Sequence, residues 1–72
     1  MDARLRNSIK VERARRNLTQ EQLAALAGVT RKTINTIETA RFVPSATLAL
    51  KLAQVLGCRF EELFELDESD GR

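Results

Sequence analysis

Only three residues, Gly28, Val29 and Thr30, separate two segments that each read as a helix of about two turns. The first segment opens on Thr19-Gln20-Glu21-Gln22, a capping box in which the Thr19 hydroxyl accepts from the Gln22 amide while the Gln22 side chain reaches back. It presents Leu23, Ala24 and Ala27 inward from a helix over Gln20 to Ala27, and it stops at Gly28, which tolerates left-handed backbone. Thr30 then caps a second helix, Arg31 to Thr39. Helices this close must turn sharply against one another. The second has only two aliphatic anchors, Ile34 and Ile37, which share a face at about 100° per residue. Its opposite face, Arg31, Lys32, Asn35, Thr36 and Thr39, is wholly polar.

The rest of the chain reads as elements that can cover this pair. Leu5, Ile9 and Arg13 recur at helical spacing, which predicts a helix over Arg4 to Arg16 with Asn17 in the left-handed position beyond it. Pro44-Ser45 opens a helix over Ala46 to Leu56, with Leu48, Leu52, Val55 and Leu56 facing the core and Gly57 closing it. A short helix over Phe60 to Phe64 sets Phe60, Leu63 and Phe64 as a lid. No segment has the period-2 alternation of a strand, so the expected fold is all-α with five helices and a mostly aliphatic interior. One domain is expected over residues 4–66, with Met1 to Ala3 flexible and residues 67–72 forming an acidic flexible tail. Seventy-two residues leave no room for a second domain. A fold this short buries only about 60% of its unfolded surface, which makes self-association plausible.

Composition narrows function by what is missing. With no histidine and a single cysteine, the chain lacks the usual general base, the usual zinc ligands and any internal disulfide. An enzyme is therefore not expected, nor a metal or cofactor. Apolar stretches are a few residues long and no leader pattern opens the chain, so a soluble, cytoplasmic protein is expected. The net charge of +2 conceals an asymmetry: residues 1–41 carry nine Lys/Arg against four Asp/Glu, whereas residues 42–72 carry three against six. A basic first half suits a polyanionic partner.

The run from Gln20 to Thr39 resembles the twenty-residue helix-turn-helix of the phage repressor and Cro-type (XRE-like) family, through Gln20, Leu23, Ala24, Ala27, Gly28, Val29, Ile34 and Ile37. Each matching residue has a physical reason: Ala24 is small where the helices cross, Gly28 frees the turn, and Val29, Ile34 and Ile37 bury the second helix on the first. The resemblance extends through Leu18-Thr19-Gln20, Arg41-Phe42-Val43-Pro44-Ser45 and Leu48 to Phe64, about 60 residues in all. It implies a five-helix lambda-repressor-like domain and a small transcriptional regulator that binds double-stranded DNA, a repressor in the first instance. The chain departs from the family at Ala40, where glycine is common. Either Ala40 tolerates a left-handed penalty of roughly 1 kcal/mol or the turn is drawn differently.

Arg31 and Lys32 occupy the first turn of their helix, where the macrodipole favours acids and each cation costs about 0.3–1 kcal/mol. A major groove would supply the missing anionic partner, so these two residues are candidates for reading base edges. Asn35 and Thr36, one turn on, are suited to adenine and to a thymine methyl. Gln20, Thr33 and Arg41 are candidates for phosphate contacts. Arg15 and Arg16 read as a solvated basic face. Helical geometry turns Arg13 toward the core and sets Glu38 beside Ile34; the resemblance implies a largely buried ion pair between them that orients the second helix of the motif. Cys58 reads as a small packing residue.

One recognition helix reads only a few base pairs, so a homodimer on a palindromic operator is expected, with half-sites about 34 Å apart. Leu50, Phe64 and Leu66 are the candidate isologous interface, rimmed by acidic side chains. Two other readings of the same fold remain open, an antitoxin that binds a partner toxin as well as DNA, and a pure protein-interaction module.

Overall fold

In the computed structural model, which describes residues 4–67, five helices form where their capping residues direct. The order is β1 (Arg4–Asn7), α1 (Ile9–Arg15), α2 (Gln20–Ala27), α3 (Arg31–Glu38), α4 (Ala46–Leu56), α5 (Phe60–Leu63) and β2 (Phe64–Asp67). The hydroxyls of Thr19, Thr30 and Ser45 accept from the backbone N–H groups of Gln22, Thr33 and Leu48, and the Thr19–Gln22 capping box is complete. Such a cap contributes about 1 kcal/mol. The first four helices are left through a residue in left-handed backbone: Asn17 (φ 55°), Gly28 (75°), Ala40 (61°) and Gly57 (67°). In each case the next residue donates its N–H back to a helical carbonyl: Leu18 to Arg13, Val29 to Ala24, Arg41 to Thr36 and Cys58 to Ala53, at 2.9–3.1 Å. These bonds satisfy carbonyls a helix end would otherwise leave open and fix the direction in which the chain departs.

The core is almost wholly aliphatic. Ile9, Leu23, Ile34, Ile37, Leu52, Leu56 and Leu63 are fully buried, and Ala24, Ala27, Ala49 and Ala53 let the helices approach closely. Packing of α3 and α4 on α2 follows from that placement of small and large side chains.

The N-terminal segment differs from the helix expected to begin at Arg4. Arg4–Asn7 is a strand, antiparallel to Phe64–Asp67 in the register Arg4↔Asp67, Leu5↔Leu66, Arg6↔Glu65 and Asn7↔Phe64. Asn7 sets the true helix start, because its Oδ1 accepts the Ile9 N–H at 3.1 Å while the Ser8 N–H donates to the Leu63 carbonyl at 2.9 Å. Helix α5 correspondingly ends at Leu63 and hands Phe64 to β2. This two-stranded sheet is a minor addition to a five-helix domain. Asp67, assigned from the sequence to the tail, closes β2; residues 68–72 of that tail and Met1 to Ala3 lie outside the described residues.

Phe64 requires a second correction. It was assigned to a surface contact, yet only 4% of it is exposed, because the strand register turns it inward, where it stacks on Phe60 at 5.3 Å between ring centroids. Leu50 and Leu66 remain outside, each more than half exposed.

Candidate nucleic-acid interface

The polar face of α3 is presented by a hydrogen-bonded chain that begins on α1. Arg13 donates from Nε to Glu38 Oε2 at 2.7 Å and from Nη2 to Oε1 at 3.2 Å, and its Nη1 donates to the Leu18 carbonyl at 2.9 Å. The Glu38 side chain is only 3% exposed. Two-pronged geometry and a third acceptor satisfy the guanidinium, which is what makes burial of such a pair tolerable. Gln20, in the first turn of α2, then donates from Nε2 to Glu38 Oε1 at 3.0 Å and to Asn35 Oδ1 at 3.2 Å. Its Oε1 accepts from Arg31 Nη1 at 3.3 Å. Four candidate side chains from three helices are thus linked.

On the outer side of α3, Arg31, Lys32 and Asn35 are exposed and Thr36 is half-buried. No acidic residue occupies the first turn. Thr36 donates its hydroxyl to the Thr33 carbonyl at 2.9 Å, and the Thr33 hydroxyl pairs with that of Thr30 at 3.0 Å. Arg41 follows the turn at Ala40 and is exposed. Lys32, Thr33, Thr36, Arg41 and Phe42 together line an open cleft of about 280 Å³. Leu50 and Leu66, on α4 and β2, take no part in this face; Leu50 instead lines a shallow groove with Lys51, Gln54, Cys58 and Phe60.

Asn7 is the residue that sequence reasoning missed. Its Nδ2 donates to the Ile37 carbonyl near the end of α3 at 2.9 Å, while its Oδ1 caps α1, so one side chain ties the strand and α1 to the recognition helix. The signal was present in Asn7-Ser8 directly before the apolar Ile9, two residue types that favour helix starts. Phe42, 49% exposed beside two cations, was treated only as part of a loop.

Away from this face, Arg16 donates to Glu12 Oε1 and to the Glu12 carbonyl, both at 2.8 Å. That hydrogen bond holds the Glu12 carboxyl below the ordinary glutamate range. Burial pushes the Cys58 thiol above its ordinary value, with the Arg16 guanidinium only partly opposing it, so the thiol is protonated near neutral pH and behaves as a packing group. Among the described residues no cluster of three or more His, Cys, Asp or Glu has the arrangement of metal ligands, and no helix is long and apolar enough to cross a membrane.

Comparison with known proteins places these features. The helix-turn-helix family profile matches residues 9–63. The chain is 41% identical over 66 residues to an HTH-type transcriptional regulator of Methanocaldococcus jannaschii, covering 92% of this chain and 100% of that one. It is 39% identical over 66 residues to the HTH-type transcriptional regulator YgzD of Bacillus subtilis, with the same coverage of each. Among solved structures, the restriction-modification controller protein C.AhdI of Aeromonas hydrophila superposes with a TM-score of 0.71 at 31% identity, over 75% of this chain and 78% of that chain. With the α2–turn–α3 unit, its packing and these similarities together, the chain belongs to the phage repressor and Cro-type helix-turn-helix family.

Proposed function

We propose that the protein binds double-stranded DNA sequence-specifically, with α3 in the major groove, and regulates transcription as a repressor by occupying a promoter. The observation that carries this reading is the first turn of α3, where Arg31 and Lys32 stand exposed at the positive end of a helix with no acid beside them. That arrangement is unfavourable in isolation and favourable once phosphates or guanine edges approach. Relatives named as transcriptional regulators support it.

In this reading Arg31, Lys32, Asn35 and Thr36 face base edges, and Gln20, Thr33 and Arg41 serve the backbone phosphates. Because Gln20 already bonds Arg31 and Asn35, its larger part is to hold those two in position, with the free N–H groups at the start of α2 meeting the phosphate. The protein acts in the cytoplasm as a homodimer on a palindromic operator. Leu50 and Leu66 form the contact without Phe64.

Selection from random-sequence duplexes, followed by binding titrations, tests the proposal. A palindromic motif should be enriched, and a dimer touching roughly 6–10 phosphates should lose about 10³–10⁵ in affinity between 50 and 200 mM salt. Arg31→Ala and Lys32→Ala should each relax preference at one or two base pairs by about 1–3 kcal/mol, whereas Arg41→Ala should weaken all sequences alike. No enriched motif, or a flat salt response, would overturn it in favour of a protein-interaction module.

A further inference from the structure

The cleft beside α3 has a composition that base reading does not account for. Lys32, Thr33 and Thr36 come from the helix, Arg41 and Phe42 from the loop that follows it, and no carboxylate lines the space. Phe42 is 49% exposed, although a phenyl ring in a loop of a protein this small would normally be drawn into the core. The loop is nonetheless fixed at its root: the Arg41 N–H donates to the Thr36 carbonyl at 2.9 Å and the Ala40 N–H to the Ile37 carbonyl at 3.0 Å. Phe42 is therefore held next to the cations by a tied turn.

We propose that this cleft receives one deoxyribose-phosphate unit of a DNA strand, with the phosphate against Arg41 and the Thr33 hydroxyl and the sugar against the ring of Phe42. The assignment rests on the DNA-binding reading above and deepens it. A sugar–phosphate unit has the pattern the cleft offers, an anion joined to a compact ring with apolar C–H edges. Lys32 adds a second positive charge. Thr33 suits the phosphate better than Thr36, since the Thr36 hydroxyl proton is already given to the Thr33 carbonyl, whereas Thr30 and Thr33 share one hydroxyl bond that either can donate. When Thr30 donates, the Thr33 proton is free. An acidic or purely apolar peptide would use only part of this lining. Because the sugar and phosphate are the same at every base pair, Phe42 contributes affinity without sequence preference.

Fluorescence anisotropy with the full chain, on a selected operator duplex and on an unrelated duplex of the same length, tests this over a range of salt concentrations. Phe42→Ala should weaken binding to both duplexes by a similar factor, about 3- to 30-fold, with the slope of log affinity against log salt unchanged because no charge is lost. Phe42→Leu, which retains apolar contact, should recover part of the loss and guards against a folding defect in the alanine variant, as does the helical circular dichroism of both. Arg41→Ala should instead flatten the slope by about 0.9. A Phe42→Ala protein that binds both duplexes like the original overturns the assignment. So does one that loses affinity only for the operator, since Phe42 would then read bases. If the unaltered protein binds neither duplex at any salt concentration, the DNA reading itself has failed, a result distinct from failure of the cleft.

Discussion

Ala40 holds backbone at φ 61°, a region that costs an L-residue with a Cβ about 1 kcal/mol, while the other three helix exits use asparagine or glycine. Ala40→Gly should therefore stabilise the protein by about 0.5–1 kcal/mol, the gain being trimmed by the greater freedom of glycine in the unfolded chain. In a domain of this size that is a rise of several degrees in melting temperature, readable by circular dichroism. An unchanged melting point would show that the alanine methyl makes a compensating contact. Glu12 gives a prediction in pH. Its carboxyl is held below the ordinary range by the hydrogen bond from Arg16, so its contribution is complete at neutral pH. The contribution starts to fall as the pH drops into the glutamate range near about 4.3, and is lost as the pH passes through the lower folded value. Glu12→Gln should accordingly be less stable than the original at neutral pH and approach it in acid; parallel acid-unfolding curves for the two proteins would contradict this.

Helix α3 is positioned by three contacts from outside itself: Arg13 on Glu38, Gln20 on Glu38 and Asn35, and Asn7 on the Ile37 carbonyl. Removing Glu38 leaves Arg13 partly buried without its partner, so Glu38→Ala should cost about 3–5 kcal/mol, much of the stability a 72-residue domain possesses. Replacing Arg13 and Glu38 together with methionine should restore most of it, and denaturant unfolding of the three proteins checks the difference. Elements whose ends carry capping residues were legible from the sequence: α2 and α4 have the bounds that Thr19, Gly28, Ser45 and Gly57 imply. The strands were not, because four residues are too few to establish alternation, and Leu5 and Ile9 satisfy a helical period even though a turn at Asn7-Ser8 lies between them. At the candidate site, the exposed polar face of α3 could be read from residue spacing. The parts played by Asn7 and Gln20 could not, since both depend on which atoms lie opposite in the folded chain.

At the scale of the molecule, the basic face of α3 and the apolar residues Leu50 and Leu66 belong to different elements, which suits a protein that meets DNA on one side and its own copy on another. Sedimentation at micromolar concentration should show a dimer for the original chain and a monomer for a Leu50→Glu, Leu66→Glu variant. If both run as one species, that contact does not exist. The β1–β2 pair has a mechanical consequence. Arg4 stands opposite Asp67, so a pull on residues 4 and 67 loads the two strands at their open end and separates the rungs one after another, as a zipper opens, instead of shearing all of them at once. Under tension the clasp parts before the helices feel the load, and with it goes the anchorage that Asn7 gives to the Ile37 carbonyl, so a force applied at the ends of the fold reaches the end of the recognition helix first.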